Sequence, residues 1–489
     1  MPSFFKTARR AALILAGTAA LVAVHHAMRP QPGPIASAGR GRRTLKMAGL
    51  GAQAGRQYAL HRARRAFASA ERQGELDERF ELQTAESITE ALGQMKGAMM
   101  KLGQMASYLD PGLPSPVRQA LAELQQNAPP MSAALAAQVV REELGRAPAE
   151  IFATWDPQPI ASASIGQVHR AITHDGRAVA VKVQYPGVGA AIRADLDNAG
   201  MVFGAMRMLF PGLEPEPLVA ELRERLLEEL DYRLEAENQA LFARFYAGHP
   251  FIHIPAVLPE FSTERVLTTE LAQGARFAEV EGWSQAERDL AAETIFRFVF
   301  GSLYQLQAFN GDPHPGNYLF GRGGQVTFLD FGLVKRFTPS EVDLIGAMLK
   351  AMVVDHDIGT YRRLIEDIGL MKGGDAFSDA EVEDYFGHFY DFVRHDEVRA
   401  ITAEYASETV RRFFDASSQF GPILKSANVP PTFVIIQRIN LGLYAIFGQL
   451  HATANWRRIS EEIWPFVQGP PSTKLGRRAA EWAAARAPR

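Results

Sequence analysis

Asp312 and Asp330 stand eighteen residues apart in the stretch NGDPHPGNYLFGRGGQVTFLDFG, and Asn317 follows the first acid by five. Pro313, Pro315 and their glycine neighbours exclude a helix there, while the run before Asp330 reads as a strand. An acid and an amide on a stiff loop, then a hairpin, then an acid at a strand end suit chemistry on phosphate. One carboxylate would orient the attacking hydroxyl or accept its proton, and the amide and the second acid would hold Mg²⁺ against the phosphates. Upstream, Ala161, Ser162, Ala163, Ser164 and Gly166 belong to a small-residue loop between two β-rich runs, where backbone amides can approach phosphate. Sixteen residues on, Lys182 in the strand VAVK can neutralise it, and an acid-rich helix follows. Each piece is weak alone. In this order they specify transfer from a nucleotide, with ATP or ADP and Mg²⁺ as cofactors.

The elements that position these residues are legible in outline. Ile88, Leu92, Met95, Met99, Leu102 and Ala106 mark an amphipathic helix that ends at Asp110-Pro111-Gly112. Lys101 and Gln104 share a flank beside that stripe, and a second helix is expected over Ser132–Leu144. At Pro159 the pattern turns extended. Two β-rich runs flank His174-Asp175-Gly176, a hairpin signal. In the second run Val179, Val181 and Val183 face one way, and Ala180, Lys182 and Gln184 the other. A long helix is expected from Glu214 to Tyr246, burying Leu222, Leu226, Leu230 and Leu234 and placing Asp231 and Glu235 on one face. RVLTTELAQG reads as a strand entering a turn. Beyond Ser284 the chain is mainly helical.

Composition sets the bounds. The 489 residues exceed one ordinary core. An apolar fraction of 47% and a charged fraction of 22% are those of a globular chain. There is no cysteine, which excludes disulfides, thiolate catalysis and cysteine-bound zinc. The net charge of −3 conceals an asymmetry: residues 1–70 hold twelve Lys or Arg and no acid, leaving 40 basic against 55 acidic residues in the rest. A basic arm on an acidic body suits an anionic surface, and the arm has little aromatic interleaving for nucleic-acid bases.

AALILAGTAALVAVHHAM, Ala11 to Met28, is flanked by Arg10 and Arg29. Its length suits an uncleaved membrane anchor or a targeting segment. The basic residues after it place the body on the cytoplasmic side, as at a bacterial inner membrane, and favour anionic lipid. An acid-free, Arg-rich start equally fits delivery to an organelle membrane.

The chain resembles the UbiB/AarF (ADCK, "ABC one") family of atypical protein-kinase-like proteins over about residues 85–460. The resemblance rests on Lys101-Leu102-Gly103-Gln104 (KxGQ), PIASASIGQVHRA, Glu229-Leu230-Asp231 (ExD), DPHPGN and LDFG. It implies an α+β, bilobal kinase-like fold, with a small β-rich N-lobe, a helical C-lobe and a family-specific N-terminal helical extension. The implied divisions are an N-terminal membrane or targeting segment (1–30), a basic linker (31–80), the KxGQ extension (81–150), the N-lobe (151–275), the C-lobe (276–470) and a tail (471–489). It further implies that Glu235 pairs with Lys182, that Asp312 is the catalytic-loop acid, and that Asn317 and Asp330 bind Mg²⁺. Glu270 and Leu271 fall at the adenine hinge. The KxGQ helix would lie over the site, with Lys101 reaching Glu229 and Asp231.

Two departures stand out. The phosphate loop carries alanine and serine where a typical kinase carries glycine, which suggests an unusual nucleotide geometry that restrains transfer. Asn310-Gly311 replaces a His-Ala pair common in the family. No Ala-Pro-Glu follows Asp330, which argues against a regulated activation loop. The resulting expectation is a membrane-associated Mg-ATP kinase or ATPase supporting isoprenoid-lipid (ubiquinone) biosynthesis. Its partners would be membrane lipid, isoprenoid quinone precursors and quinone-biosynthesis enzymes, and not nucleic acid. The alternatives are a small-molecule phosphotransferase of the aminoglycoside-kinase type and a non-catalytic nucleotide-sensing scaffold.

Overall fold

The computed structural model describes residues 132–486 except 164, 190–191, 193–226, 372–375, 415–418, 427–430 and 468. The N-terminal apolar segment, the basic linker and the KxGQ residues Lys101 and Gln104 therefore lie outside the described residues.

Helix α1 (Ala133–Leu144) begins where Ser132 accepts the Leu135 amide and ends at Gly145, whose φ of 75° is left-handed. Its Val139 and Val140 pack on Val179, Val181 and Val183 of strand β3 (Ala178–Gln184). That strand is central in an antiparallel sheet with β1 (Phe152–Ala163), β2 (Gly166–Thr173) and β5 (Val266–Glu270), ordered β1-β2-β3-β5. The expected alternation holds for the valines. Gln184, expected opposite them, is buried too, because its Nε2 donates to the Leu230 carbonyl at 2.8 Å. The Asp-Gly signal becomes the β2–β3 turn, with Gly176 at φ 88°.

Two expectations need correction. β1 starts at Phe152, seven residues before Pro159, because irregular pairing with β2 absorbs the proline. The acidic helix is not continuous through the ExD motif. Asp231 adopts an extended conformation and caps a new helix, α2 (Tyr232–Phe245), by accepting the Arg233 amide. Leu230 is buried, but Leu234, beyond the break, is 43% exposed. The four-residue leucine spacing crosses a break and so cannot keep one face.

After β4 (Ile252–His253) and β5, the C-lobe is built around helix α3 (Gln285–Leu306). Phe298 stacks on Phe328 at 3.7 Å between centroids, and Phe242 meets Phe331 at 5.0 Å, joining α3, α2 and the LDFG segment in one core. From α3 the chain runs through β6 (Ala308–Asn310), a loop with a 3₁₀ turn at Pro315–Asn317, and the hairpin β7 (Tyr318–Phe320) and β8 (Val326–Phe328). β9 (Val334–Arg336) then pairs antiparallel with β6. Only seven residues, 332–338, join Phe331 to helix α4 (Pro339–Leu349). Helices α5 (Ile358–Asp367), α6 (Asp379–Gly387), α7 (Pro431–Leu450), α8 (Trp456–Ile463) and α9 (Lys474–Arg486) complete the lobe.

A buried charge cluster fastens three of these helices. Arg297 on α3 donates to Glu293 at 2.7 Å and to Glu462 on α8 at 2.8 Å, and Thr473 before α9 accepts from Arg297 at 3.1 Å and donates to Glu293. Gly476 is required there, since a Cβ would stand 2.1 Å from Glu462 Oε2.

Candidate active site

Lys182 points from β3 toward α2. Its Nζ donates to both Glu235 oxygens, at 2.8 and 2.9 Å, and lies 3.7 Å from Asp330 Oδ2. Glu235 is 4% exposed. Burial pushes its carboxyl up, to about 7, against the pull of Lys182. Burial lowers the ammonium, yet the Asp330 and Glu235 carboxylates together hold it well above its ordinary value. Lys182 thus stays charged between two acids, and its bonds to both Glu235 oxygens mark that pair as ionised. Tyr232 completes the setting, with the ammonium 5.0 Å from its ring centre. Its buried hydroxyl has no hydrogen-bond partner among the described residues, and burial pushes its pKa up.

The loop after β6 holds the other groups. Asn317 Nδ2 donates to the Asp312 backbone carbonyl at 3.0 Å and to Asp312 Oδ2 at 3.1 Å. That fixes the amide's orientation, leaving Oδ1 as an acceptor. Asn310 bridges the two acidic segments: its Oδ1 accepts the Asp312 amide at 3.2 Å and its Nδ2 donates to the Asp330 carbonyl at 2.8 Å. Asp330 Oδ1 accepts the Gly332 amide at 2.9 Å. Asn238, one turn after Glu235, donates to the Phe331 carbonyl at 3.3 Å and accepts from Arg336 at 3.1 Å. The structure therefore brings Lys182, Glu235, Asp312, Asn317 and Asp330 together at the lobe junction.

A cleft of about 820 Å³ adjoins them, lined in part by Ala161, Ser162, Lys182, Glu235, Glu270 and Leu271. The small-residue run does not form the expected loop. Ala161, Ser162 and Ala163 belong to β1, paired with Val168, Gln167 and Gly166. Ser164 lies outside the described residues. Ala163 and Gly166 do not line the cleft. Gly166 answers a different need: a Cβ there would sit 2.3 Å from the Val183 carbonyl oxygen and 3.0 Å from the Tyr232 hydroxyl. At the hinge, the Leu271 amide is taken by the Ala178 carbonyl at 3.0 Å, and the Glu270 amide by Ala256 at 2.8 Å.

In the ExD motif, Arg233 binds Asp231 through Nε at 2.9 Å and Nη2 at 2.8 Å. Those hydrogen bonds hold the Asp231 carboxyl below its usual range. Sequence reasoning missed Arg233, Asn238 and Gln239. Gln239 is buried, lines the cleft and donates to the Pro255 carbonyl at 2.7 Å. All but Arg233 fall three or four residues after Glu235, the helical spacing that could have found them.

A small antiparallel sheet over a helical lobe, with a lysine–glutamate pair beside a strand-end aspartate, defines a protein-kinase-like fold. The comparisons place it more finely. A family model described as ABC1 atypical kinase-like domain matches residues 123–363. The chain is 36% identical over 303 residues to "Atypical kinase COQ8B, mitochondrial" of Rattus norvegicus, covering 61% of this chain and 57% of that protein. It is 30% identical over 300 residues to "Atypical kinase COQ8, mitochondrial" of Saccharomyces cerevisiae, covering 60% of each. A solved structure of Mycobacterium tuberculosis, the Rv3197–erythromycin complex, is similar at a TM-score of 0.60 and 31% identity, over 81% of this chain and 100% of that one. The chain belongs to the UbiB/AarF (ADCK) family of atypical kinase-like proteins. It spans about three fifths of the length of these two curated relatives.

Proposed function

We propose that the chain is an atypical kinase or ATPase that binds Mg-ATP and serves ubiquinone biosynthesis or isoprenoid-lipid handling at a membrane. One observation carries the reading: the Lys182–Glu235 pair stands beside Asp330, next to a loop that ties Asn317 to Asp312. Lys182, fixed by Glu235, would bind nucleotide phosphates. The oxygens of Asp330 and Asn317 suit a hard cation, which takes few protein ligands when phosphates supply the rest. Bound Mg²⁺ would neutralise charge on the phosphates during transfer. Asp312 would orient the attacking hydroxyl or water and accept its proton.

With the Glu270 and Leu271 amides spent on Ala256 and Ala178, the backbone of Ala272–Gly274 is the better partner for the base edge. Lys101 and Gln104 are proposed to cover the site. Lys101 would reach the ExD acids Glu229 and Asp231, the second of which also binds Arg233. Family membership supports the lipid and quinone assignment, and the N-terminal apolar and basic stretch supports membrane association. Among the described residues no helix is long and apolar enough to cross a membrane.

The test is the melting temperature of the purified full chain with ATP or ADP, with and without Mg²⁺, beside Asp330→Asn. A Mg²⁺-dependent rise that the variant loses is expected. A folded protein that no nucleotide shifts would overturn the reading.

A further inference from the structure

The C-lobe contains a second cavity of about 300 Å³, far more than the water-sized gaps a packed core leaves. Its walls are mainly aromatic, and it is bounded by α3, β6, α4, α5, α6, α7 and α8. Its polar lining groups are five tyrosines, Asn440 and Ser460, and the Tyr361 and Tyr390 hydroxyls bond each other. The Tyr444 hydroxyl donates to the Phe389 carbonyl at 3.1 Å, and Ser460 to the Trp456 carbonyl at 2.8 Å. Water needs two to four polar partners, and apolar cavities half this size stay dry and take hydrocarbon ligands. A polar end would be met by Asn440 on α7, which lines the cavity. At a water's share of about 30 Å³ per unit, the volume suits roughly ten heavy atoms.

One wall leads to the proposed active site. Phe309 lines the cavity, packed on Phe300 at 6.0 Å and on Phe337 at 6.2 Å. The next residue is Asn310, which holds Asp312 and Asp330 together. β6 is only three residues long, so what presses on Phe309 bears on Asn310.

We propose that this cavity binds a small apolar molecule with one hydrogen-bonding end, and that the catalytic loop reads its occupancy through Phe309 and Asn310. The binding half stands independently of the nucleotide reading; the coupling half rests on it.

The test uses the full chain labelled with ¹³C at the methionine methyls, with the terpene alcohol geraniol as probe and p-cymene, a hydrocarbon of similar size with no hydroxyl, as control. Met348 lines the cavity, and Met348→Leu assigns its signal. A saturable shift of the Met348 methyl is expected with geraniol, lost when Ile345→Phe or Leu349→Phe fills the space. No saturable shift, or one unchanged in both filled variants, would overturn the site. Should neither filled variant fold, Asn440→Leu decides: geraniol should weaken at least fivefold while p-cymene is unaffected, and equal effects on both overturn the polar end. For the coupling, saturating geraniol should change the Kd for Mg-ADP at least threefold, and Asn310→Ala should abolish the change. Equal Kd values would overturn the coupling. Mg-ADP that fails to bind at all would refute the nucleotide reading and the coupling with it, leaving the Met348 result to stand alone.

Discussion

Asn310 donates to the backbone carbonyl of Asp330 at 2.8 Å, across twenty residues of chain, and its other amide atom accepts the Asp312 backbone. One side chain thus sets the spacing of the two acids. Asn310→Ala should leave both backbone groups without their partner and cost about 1–3 kcal/mol, with a larger fractional loss of ATP turnover than of stability. Asn310→His, the residue that the family resemblance leads one to expect there, should restore part of the turnover. Denaturant melts and a coupled ATPase assay report the two quantities.

Removing Glu235 alone should be worse than removing the whole pair. Glu235→Gln leaves a buried ammonium facing Asp330 and should cost about 3–5 kcal/mol. Lys182→Met with Glu235→Leu should recover most of that stability while binding no nucleotide. A double-mutant cycle in guanidinium checks this, and additive single effects would rule out a coupled pair.

Two glycines separate steric need from backbone need. Gly166→Ala drives a Cβ into the Val183 carbonyl and should cost about 1–3 kcal/mol, displacing Tyr232 from beneath Lys182 and abolishing the nucleotide-induced melting shift. Gly323→Ala meets open space at φ 70°. It should cost only about 1–2 kcal/mol from its left-handed backbone, with the nucleotide shift intact.

His249 predicts acid sensitivity. Burial first, then Arg297, Arg478 and Arg486, pushes its imidazole down to about 3. Its Nδ1 accepts the Ile252 amide at 3.1 Å, and its ring meets Trp482 at 4.6 Å. A depressed folded pKa favours the neutral ring in the native state. Its stabilisation is therefore complete above pH 6.5 and declines as pH falls from 6.5 toward 3, by up to about 1.4 kcal/mol per pH unit. His249→Asn keeps an acceptor in place of Nδ1 and should flatten that slope, as read from melts at pH 7, 6, 5 and 4.5.

The residue types were more legible than the shapes that hold them. Lys182, Asp312, Asn317 and Asp330 were singled out by type and order, and Glu235 by the family resemblance; the structure sets Lys182 on Glu235 beside Asp330 and ties Asn317 to Asp312. Helix α1 was expected over Ser132–Leu144 and spans Ala133–Leu144, its ends set locally by Ser132 and Gly145. The break at Asp231 was not, because leucine spacing runs through it unchanged and only the extended Asp231 backbone reveals it. Gly166 carries a second need that the sequence does not show. A glycine beside small residues suggests a phosphate loop, and the second need arises from Val183, a strand away in space. Asn238 and Arg233 were missed because a polar residue on an acidic helix looks solvated until its partner's position is known.

The Arg297 cluster bears on how the chain is made. Arg297 must wait for Glu462, 165 residues later, and Thr473 reaches back 180 residues to Glu293. At about 5–20 residues per second, that interval is roughly 8–36 s of synthesis. Through it, helix α3 carries a guanidinium with Glu293 alone for company. The sheet lobe, whose strands all precede Leu271, can close meanwhile, so the lobe that holds Lys182 is complete before the lobe that holds Asp312 has its last fastening.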